Sequence, residues 1–258
     1  MKIFHYTSIE TLALILKNRT LRFNNVANVN DPDEAMTDDF GSLQPYCFTS
    51  CWTSRQEESI PLWKIYGNNG HGVRIESDTS FIHFRNDSVS EREMYFVVKN
   101  VQKNNLDSCF INLWQSGDSF NHYFRTHYSD VNRIFEKNLS TNSITQFEYD
   151  IESAFNTKKT CWAFEEEIRF ILLGCNSSIE KCDNWQIVFN RIMSKSKSKR
   201  NFHDSYVDLI LEQDFFDNLK ITCSPKIDDA EKIIIQALIE KFDENKKIKI
   251  IESKINMK

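Results

Sequence analysis

The chain of 258 residues is expected to fold as an α+β protein, with a mixed, largely antiparallel sheet and helices inserted around it. Three observations predict this. Strand-like segments come from both ends of the sequence, a ring-rich block near residues 104–158 reads as a helical insertion between them, and an amphipathic helix directly follows the first strand. A composition of 40% hydrophobic and 13% aromatic residues suffices for one large core, and no interdomain linker or internal repeat is visible, so residues 1–258 read as a single domain.

Taken in order, Lys2 to Tyr6 alternates weakly and reads as a strand. Thr7-x-x-Glu10 then resembles a capping box opening a helix with Ile9, Leu12, Ala13 and Leu16 on one face. Thr20 to Phe23 is a second short strand, and Asn24 to Leu43 a polar, acidic loop with turn chemistry at Asn30-Asp31-Pro32. Pro45 to Trp52 is an aromatic strand. Ser54-x-x-Glu57 starts a helix that carries Leu62, Trp63 and Tyr66 and that Pro61 perturbs, and Gly67-Asn68-Asn69-Gly70 ends it.

His71 to Ser77 and Glu93 to Lys99 read as strands, whereas Asn104 to Asn138 and Ile144 to Asn156 read as helices rich in rings. The run from Cys161 to Leu173 enters an apolar strand, and further strands are expected at Trp185 to Phe189 and Tyr206 to Leu211. Ser194 to Arg200 is a short basic stretch, read as a solvated loop rather than a phosphate contact. A helix with Ala230, Ile233, Ile234, Ala237 and Leu238 on one face and a strand from Lys247 to Glu252 close the chain.

Composition narrows the function classes. A formal charge of −5 argues against a general nucleic-acid coating protein, because phosphate binding needs a net basic face. Neither a run of about eighteen apolar residues nor a signal-peptide pattern is present, so a cytoplasmic protein without a membrane partner is expected. Seven cysteines without a CxxC pair read as reduced thiols, and His71, His83, His122, His127 and His203 show no ligand spacing.

Two groups of residues carry possible chemistry. On a strand, alternation sends Glu165, Glu167 and Arg169 to one face, where like charges raise the pKa of at least one carboxyl unless Arg169 offsets them. A salt-bridged sheet edge is the alternative. The second group is Thr49 and Ser50 at the end of a strand, followed by Trp63 and Tyr66 one helical turn apart. Trp63 reads as core and Tyr66 as the wall of a pocket.

His5-Tyr6-Thr7, Asn30-Asp31-Pro32-x-Glu34, Cys47-Phe48-Thr49-Ser50, Trp63-x-x-Tyr66-Gly67, Gly72-Val73-x-Ile75 and Trp162-x-x-Glu165-x-Glu167-x-Arg169 resemble, in order and over nearly the whole chain, a widespread prokaryotic family of uncharacterised domains. Its layout is similar to the ADP-ribosyltransferase superfamily, including bacterial toxins that modify DNA. The resemblance implies NAD as substrate, with His5 at its ribose, helped by Tyr6 and Thr7, and Thr49 or Ser50 as the second-strand polar residue. Tyr66 is then the stacking ring beside Trp63, and Glu167 or Glu165 the catalytic carboxylate. Asn30, Asp31, Glu34 and Arg169 complete the expected NAD-binding set, and no metal is needed.

The expected activity is therefore an NAD-dependent ADP-ribosyltransferase, a toxin or antiviral-defence effector with a nucleic-acid or protein acceptor and room for a regulatory protein partner. NAD hydrolysis is a close variant. The other classes are a nuclease-like hydrolase holding a divalent ion with His5, Asp31, Glu34 and Glu167, and a non-catalytic module that binds a nucleotide or a partner.

Overall fold

A computed structural model describes residues 1–39, 41–79, 123–132, 151–175, 205–243, 245 and 247–257, together with the strand segments 95–97, 108–112, 114–116, 119–121, 136–141 and 144–149. The expected strand at 185–189 and the basic stretch at 194–200 lie outside the described residues.

Eleven described strands form the main sheet. They are β1 (Lys2–Thr7), β2 (Thr20–Asn25), β3 (Cys47–Thr53), β4 (Val73–Asp78), β5 (Tyr95–Val97), β6 (Ser108–Asn112), β7 (Phe124–Arg125), β8 (Glu167–Cys175), β9 (Tyr206–Ile210), β10 (Lys220–Cys223) and β11 (Lys249–Glu252). The order along the main path is β11-β10-β4-β1-β3-β8-β6-β5, with β7 on β8 and the pair β9-β2 on β3. All these pairings are antiparallel except β10 with β11, so the expected mixed, largely antiparallel α+β architecture is what forms.

Five described helices accompany the sheet: α1 (Ile9–Asn18), α2 (Ile60–Ile65), α3 (Ile151–Phe155), α4 (Gln213–Asp217) and α5 (Asp229–Phe242). Leu12, Ile15 and Leu16 of α1, Phe215 and Phe216 of α4, and Ile235 and Ile239 of α5 join Ile3, Phe23, Phe48, Ile75, Phe170 and Ile221 of the strands in one buried core. Burying each of these side chains stabilises the fold by roughly 1.5–3 kcal/mol before the ordering entropy is subtracted. Apolar burial is thus the term that fixes the sheet.

Several local expectations shift. The N-cap of α1 is Ser8, whose hydroxyl accepts from the Thr11 amide at 3.2 Å, rather than Thr7, which belongs to β1. α2 begins at Ile60 and not after Ser54, so Pro61 lies in its first turn, where a missing amide hydrogen costs no helical bond. On α5 the buried stripe is Ile235 and Ile239, while Ile233 and Ile234 are 65% and 50% exposed. Three consecutive isoleucines fit any stripe, and the core selects the one with i, i+4 spacing.

The expected helical insertion is the largest correction. Within 104–158 the described residues form strands, including a hairpin of Glu136–Thr141 with Ile144–Tyr149 that brings Thr141 opposite Ile144, and only α3 is helical. Thr145, Phe147 and Tyr149 recur with period two, and threonine and aromatic residues favour a pleated surface over a helix. The ring content was the wrong signal, and the alternation the right one.

Candidate active site

The sheet forks at β3. One edge of β3 pairs with β8 from Cys47 to Thr53. The other edge meets β2 at Phe48 and Thr49 and β1 only at Thr53, so β1 and β2 splay apart across Ser50, Cys51 and Trp52. A cavity of about 520 Å³ opens in this fork, with α1 on one flank and Tyr66 on another. That volume lies in the range of small-molecule sites.

His5 bridges the fork. Its Nδ1 lies 2.9 Å from the Cys51 carbonyl, which can only accept, so the neutral ring carries its proton on Nδ1 and offers Nε2 as an acceptor. Burial lowers the His5 pKa, which favours that neutral ring at pH 7. Its ring centroid lies 5.1 Å from that of Trp52.

Opposite stands a buried ionic cluster. Lys158 Nζ donates to Glu165 Oε2 at 2.7 Å and makes ion pairs with Glu167 Oε2 at 3.2 Å and Glu34 Oε1 at 3.3 Å. Arg169 grips Glu167 through Nε at 3.2 Å and Nη2 at 2.9 and 3.1 Å, and its Nη1 meets Glu34 Oε2 and the Phe155 carbonyl, both at 2.9 Å. Thr126 donates to Glu167 Oε2 at 3.3 Å, and the Glu167 amide donates to Tyr128 OH at 2.8 Å. Tyr66 donates to Glu165 Oε1 at 2.5 Å and accepts from Asn30 Nδ2 at 3.3 Å.

Three carboxylates against two cations leave this cluster one negative charge in excess when all are ionised. Burial pushes the Glu165 carboxyl up, with Lys158 opposing. For Glu167 burial also works upward, but the Arg169 and Lys158 charges outweigh it and hold the carboxyl well below the usual range. Two glutamates two residues apart thus have their proton affinities driven in opposite directions, the pattern expected of groups with different roles.

The local backbone explains the separation. Glu165 ends a 3₁₀ turn, Thr160–Glu165, and Glu166 takes a left-handed conformation (φ 44°) before β8 starts at Glu167. The expected continuous strand from Cys161 is therefore corrected: Glu165 reaches Glu167 and Arg169 through a kink, not through alternation. The Glu166 carbonyl anchors that kink by accepting from the Ser54 amide at 3.1 Å.

Of the residues expected from sequence, His5, Glu34, Tyr66, Glu165, Glu167 and Arg169 are brought together here, with Asn30 at the rim. Tyr6, Thr7, Thr49 and Ser50 line the same cavity, but their groups are largely spent within the fold. Thr49 donates to the Phe170 carbonyl at 3.1 Å, Ser50 accepts from the Trp52 indole at 3.0 Å, and Tyr6 OH accepts from the Ser59 amide at 3.0 Å. Asp31 is buried and accepts from the Asp33 amide at 3.0 Å, holding the loop rather than facing the cavity. Trp63 is fully buried against Tyr6, with its indole donating to Glu58 at 3.1 Å, so it is core and not a stacking surface for a ligand.

Lys158, Thr126 and Tyr128 were not anticipated. Lys158 sits in a two-residue strand, Thr157–Lys158, paired in parallel with His127–Tyr128. A Lys158-Lys159 pair just upstream of three successive glutamates was the available signal, masked by the expectation of a helix ending at Asn156. Among the described residues no group of three or more His, Cys, Asp or Glu side chains is arranged to hold a metal ion, and the oxygens of Glu34 and Glu167 turn to Lys158 and Arg169.

Cys47, Cys51, Cys161 and Cys223 are free thiols, and among the described residues no helix is long and apolar enough to cross a membrane. No family model, curated protein or solved structure compared with the chain matches it.

Proposed function

We propose that the chain is an NAD-using ADP-ribosyltransferase-like enzyme acting on a nucleic-acid or protein acceptor. The observation that carries this reading is the anionic excess of the Glu34, Glu165, Glu167, Lys158 and Arg169 cluster on the wall of a nucleotide-sized cavity, facing a neutral His5 acceptor. NAD presents a cationic pyridinium joined to a ribose. When the bond from the ribose carbon to the nicotinamide nitrogen breaks, its electron pair leaves with neutral nicotinamide and positive charge develops on the sugar, as in glycoside hydrolysis.

A fixed carboxylate stabilises that charge more in the transition state than in the ground state. His5 Nε2 accepts from a ribose hydroxyl, and the Tyr66 ring flanks the nicotinamide. The acceptor's oxygen or nitrogen lone pair then bonds to the ribose carbon, and its proton passes to a cavity carboxylate. With water as acceptor the same steps give NAD hydrolysis.

The test is incubation of the purified protein with NAD, with and without cell lysate, following nicotinamide release. A control carries both Glu165→Gln and Glu167→Gln, so that either glutamate's loss is covered. Release that requires lysate and vanishes in the control supports the transferase, and release without lysate supports the hydrolase. No release and no NAD binding removes the reading in favour of a metal-dependent hydrolase or a non-catalytic module.

A further inference from the structure

We propose that Glu165 is the carboxylate that meets the substrate, and that Glu167 is a positioning residue that fixes Lys158 and Arg169 behind it. The proposal rests on the NAD reading of the same cavity and deepens it by dividing the roles of the two glutamates.

A carboxylate offers about four acceptor positions. Glu167 already receives five contacts: two from Arg169 on Oε1, and one each from Arg169, Lys158 and Thr126 on Oε2. No capacity remains for a ribose hydroxyl or for an acceptor's proton. Glu165 receives only two, from Tyr66 on Oε1 and from Lys158 on Oε2, which leaves one position on each oxygen.

Glu34 makes two ion pairs and neither of its oxygens accepts a hydrogen bond, but both are sealed from solvent. Side-chain exposure is 5% for Glu165 against 2% for Glu167 and 1% for Glu34. Tyr66, tied to Asn30, lines the cavity together with Glu165 and fixes one oxygen of its carboxylate by hydrogen bonding.

The division of labour gives the reaction a complete proton path. Glu165 faces the developing positive charge as a carboxylate, and then takes the proton from the acceptor's O–H or N–H as the new bond to the ribose carbon forms. Lys158, held among three carboxylates, stays protonated throughout. Glu167 changes neither charge nor partners.

Kinetics on single variants separate the roles. Glu165→Gln is expected to lower kcat for nicotinamide release by roughly 10²–10³-fold, the loss typical of removing one preorganised charge-stabilising group. KM is expected to stay within a few-fold and the melting temperature to be unchanged. Glu167→Asp keeps a carboxylate for Arg169 and is expected to retain kcat within about ten-fold while melting earlier. The proposal is overturned if Glu167→Asp, Glu167→Gln or Glu34→Gln shows the large kcat loss at an unchanged melting temperature while Glu165→Gln does not.

The wild-type pH profile needs no variant. The acid limb of kcat/KM is expected above pH 4.5, where the raised Glu165 carboxyl titrates. A limb well below that value, following Glu167, overturns the assignment. If the protein neither binds nor cleaves NAD, the functional reading fails by itself. The role of Glu165 is then read by calorimetry with the N-methylnicotinamide cation and neutral nicotinamide as probes. Preference for the cation that Glu165→Gln abolishes upholds the proposal, and no preference, or one that survives the substitution, refutes it.

Discussion

Lys158→Met tests whether the ionic cluster is built as described, because it removes the one cation shared by Glu34, Glu165 and Glu167. At an effective dielectric of about 20, a unit charge pair at these separations attracts by roughly 5–6 kcal/mol. Removing the ammonium also recovers its own desolvation cost of several kcal/mol and its repulsion from Arg169. What remains is the penalty of uncompensated buried carboxylates, about 3–5 kcal/mol for a broken buried pair. For a chain of this length that lowers the melting temperature by about 6–20 °C.

The pH dependence has a defined sign. Without Lys158 the Glu165 carboxyl, already raised by burial, loses the ammonium that opposes the rise, so the folded state binds more protons there. Stability of the variant therefore falls as pH rises, and its deficit against wild type is larger at pH 8 than at pH 5. Adding Glu34→Gln restores the wild-type excess of one negative charge and is expected to recover at least about 1 kcal/mol, within the usual coupling range of contacting groups. The assay is calorimetric or denaturant unfolding of the single and double variants. A Lys158→Met deficit below about 1 kcal/mol that does not change with pH refutes the buried cluster as the source of the site's charge.

Two further outcomes follow from geometry. Gly72→Ala places a Cβ 2.2 Å from the Thr7 carbonyl oxygen and 2.9 Å from the Gly67 carbonyl, so β1 must move and the variant is expected to lose about 1–3 kcal/mol, read as a lower melting temperature together with weaker NAD binding through the displaced His5. His5 is held neutral by burial, its pKa lowered from 6.5, so the unfolded chain binds more protons below that value and wild-type stability drops as pH falls from about 6.5. His5→Asn, whose amide can still donate to the Cys51 carbonyl, is expected to lack that drop in the same unfolding series, and an identical drop in the variant would place the responsible group elsewhere.

The sheet and most of the site were legible in the sequence where a local rule and the tertiary structure agree. β1, β2, β3 and β4 were read within about two residues because turn residues punctuate them and their apolar positions face one core. His5, Tyr66, Glu165, Glu167 and Arg169 stood out as polar groups at the ends of apolar runs, where burial demands a partner. What stayed hidden depends on long-range placement. Nothing near Lys158 in sequence announces Glu34, more than a hundred residues away, as its partner, and nothing in Glu165-Glu166-Glu167 announces the left-handed kink at Glu166. Trp63 shows the converse: its spacing to Tyr66 is the same in a pocket as in a core, and only the packing of Tyr6 against its ring decides between them.

The forked sheet explains why the site lies where it does. A strand that keeps one partner along its whole length has its backbone groups satisfied and offers a ligand only side chains. β3 changes partner from β2 to β1, which exposes a short stretch of backbone, and His5 takes the Cys51 carbonyl left there. The same gap gives a ligand room between β1 and β2 while β8, paired along the opposite edge of β3, carries Glu167 and Arg169 on a rigid element. The open cavity and the fully paired edge therefore lie on opposite sides of one strand. Arg169 and Glu167 spend their hydrogen bonds on each other and on Lys158, and Glu165, set off from β8 by a kinked residue, keeps acceptor positions open toward the cavity.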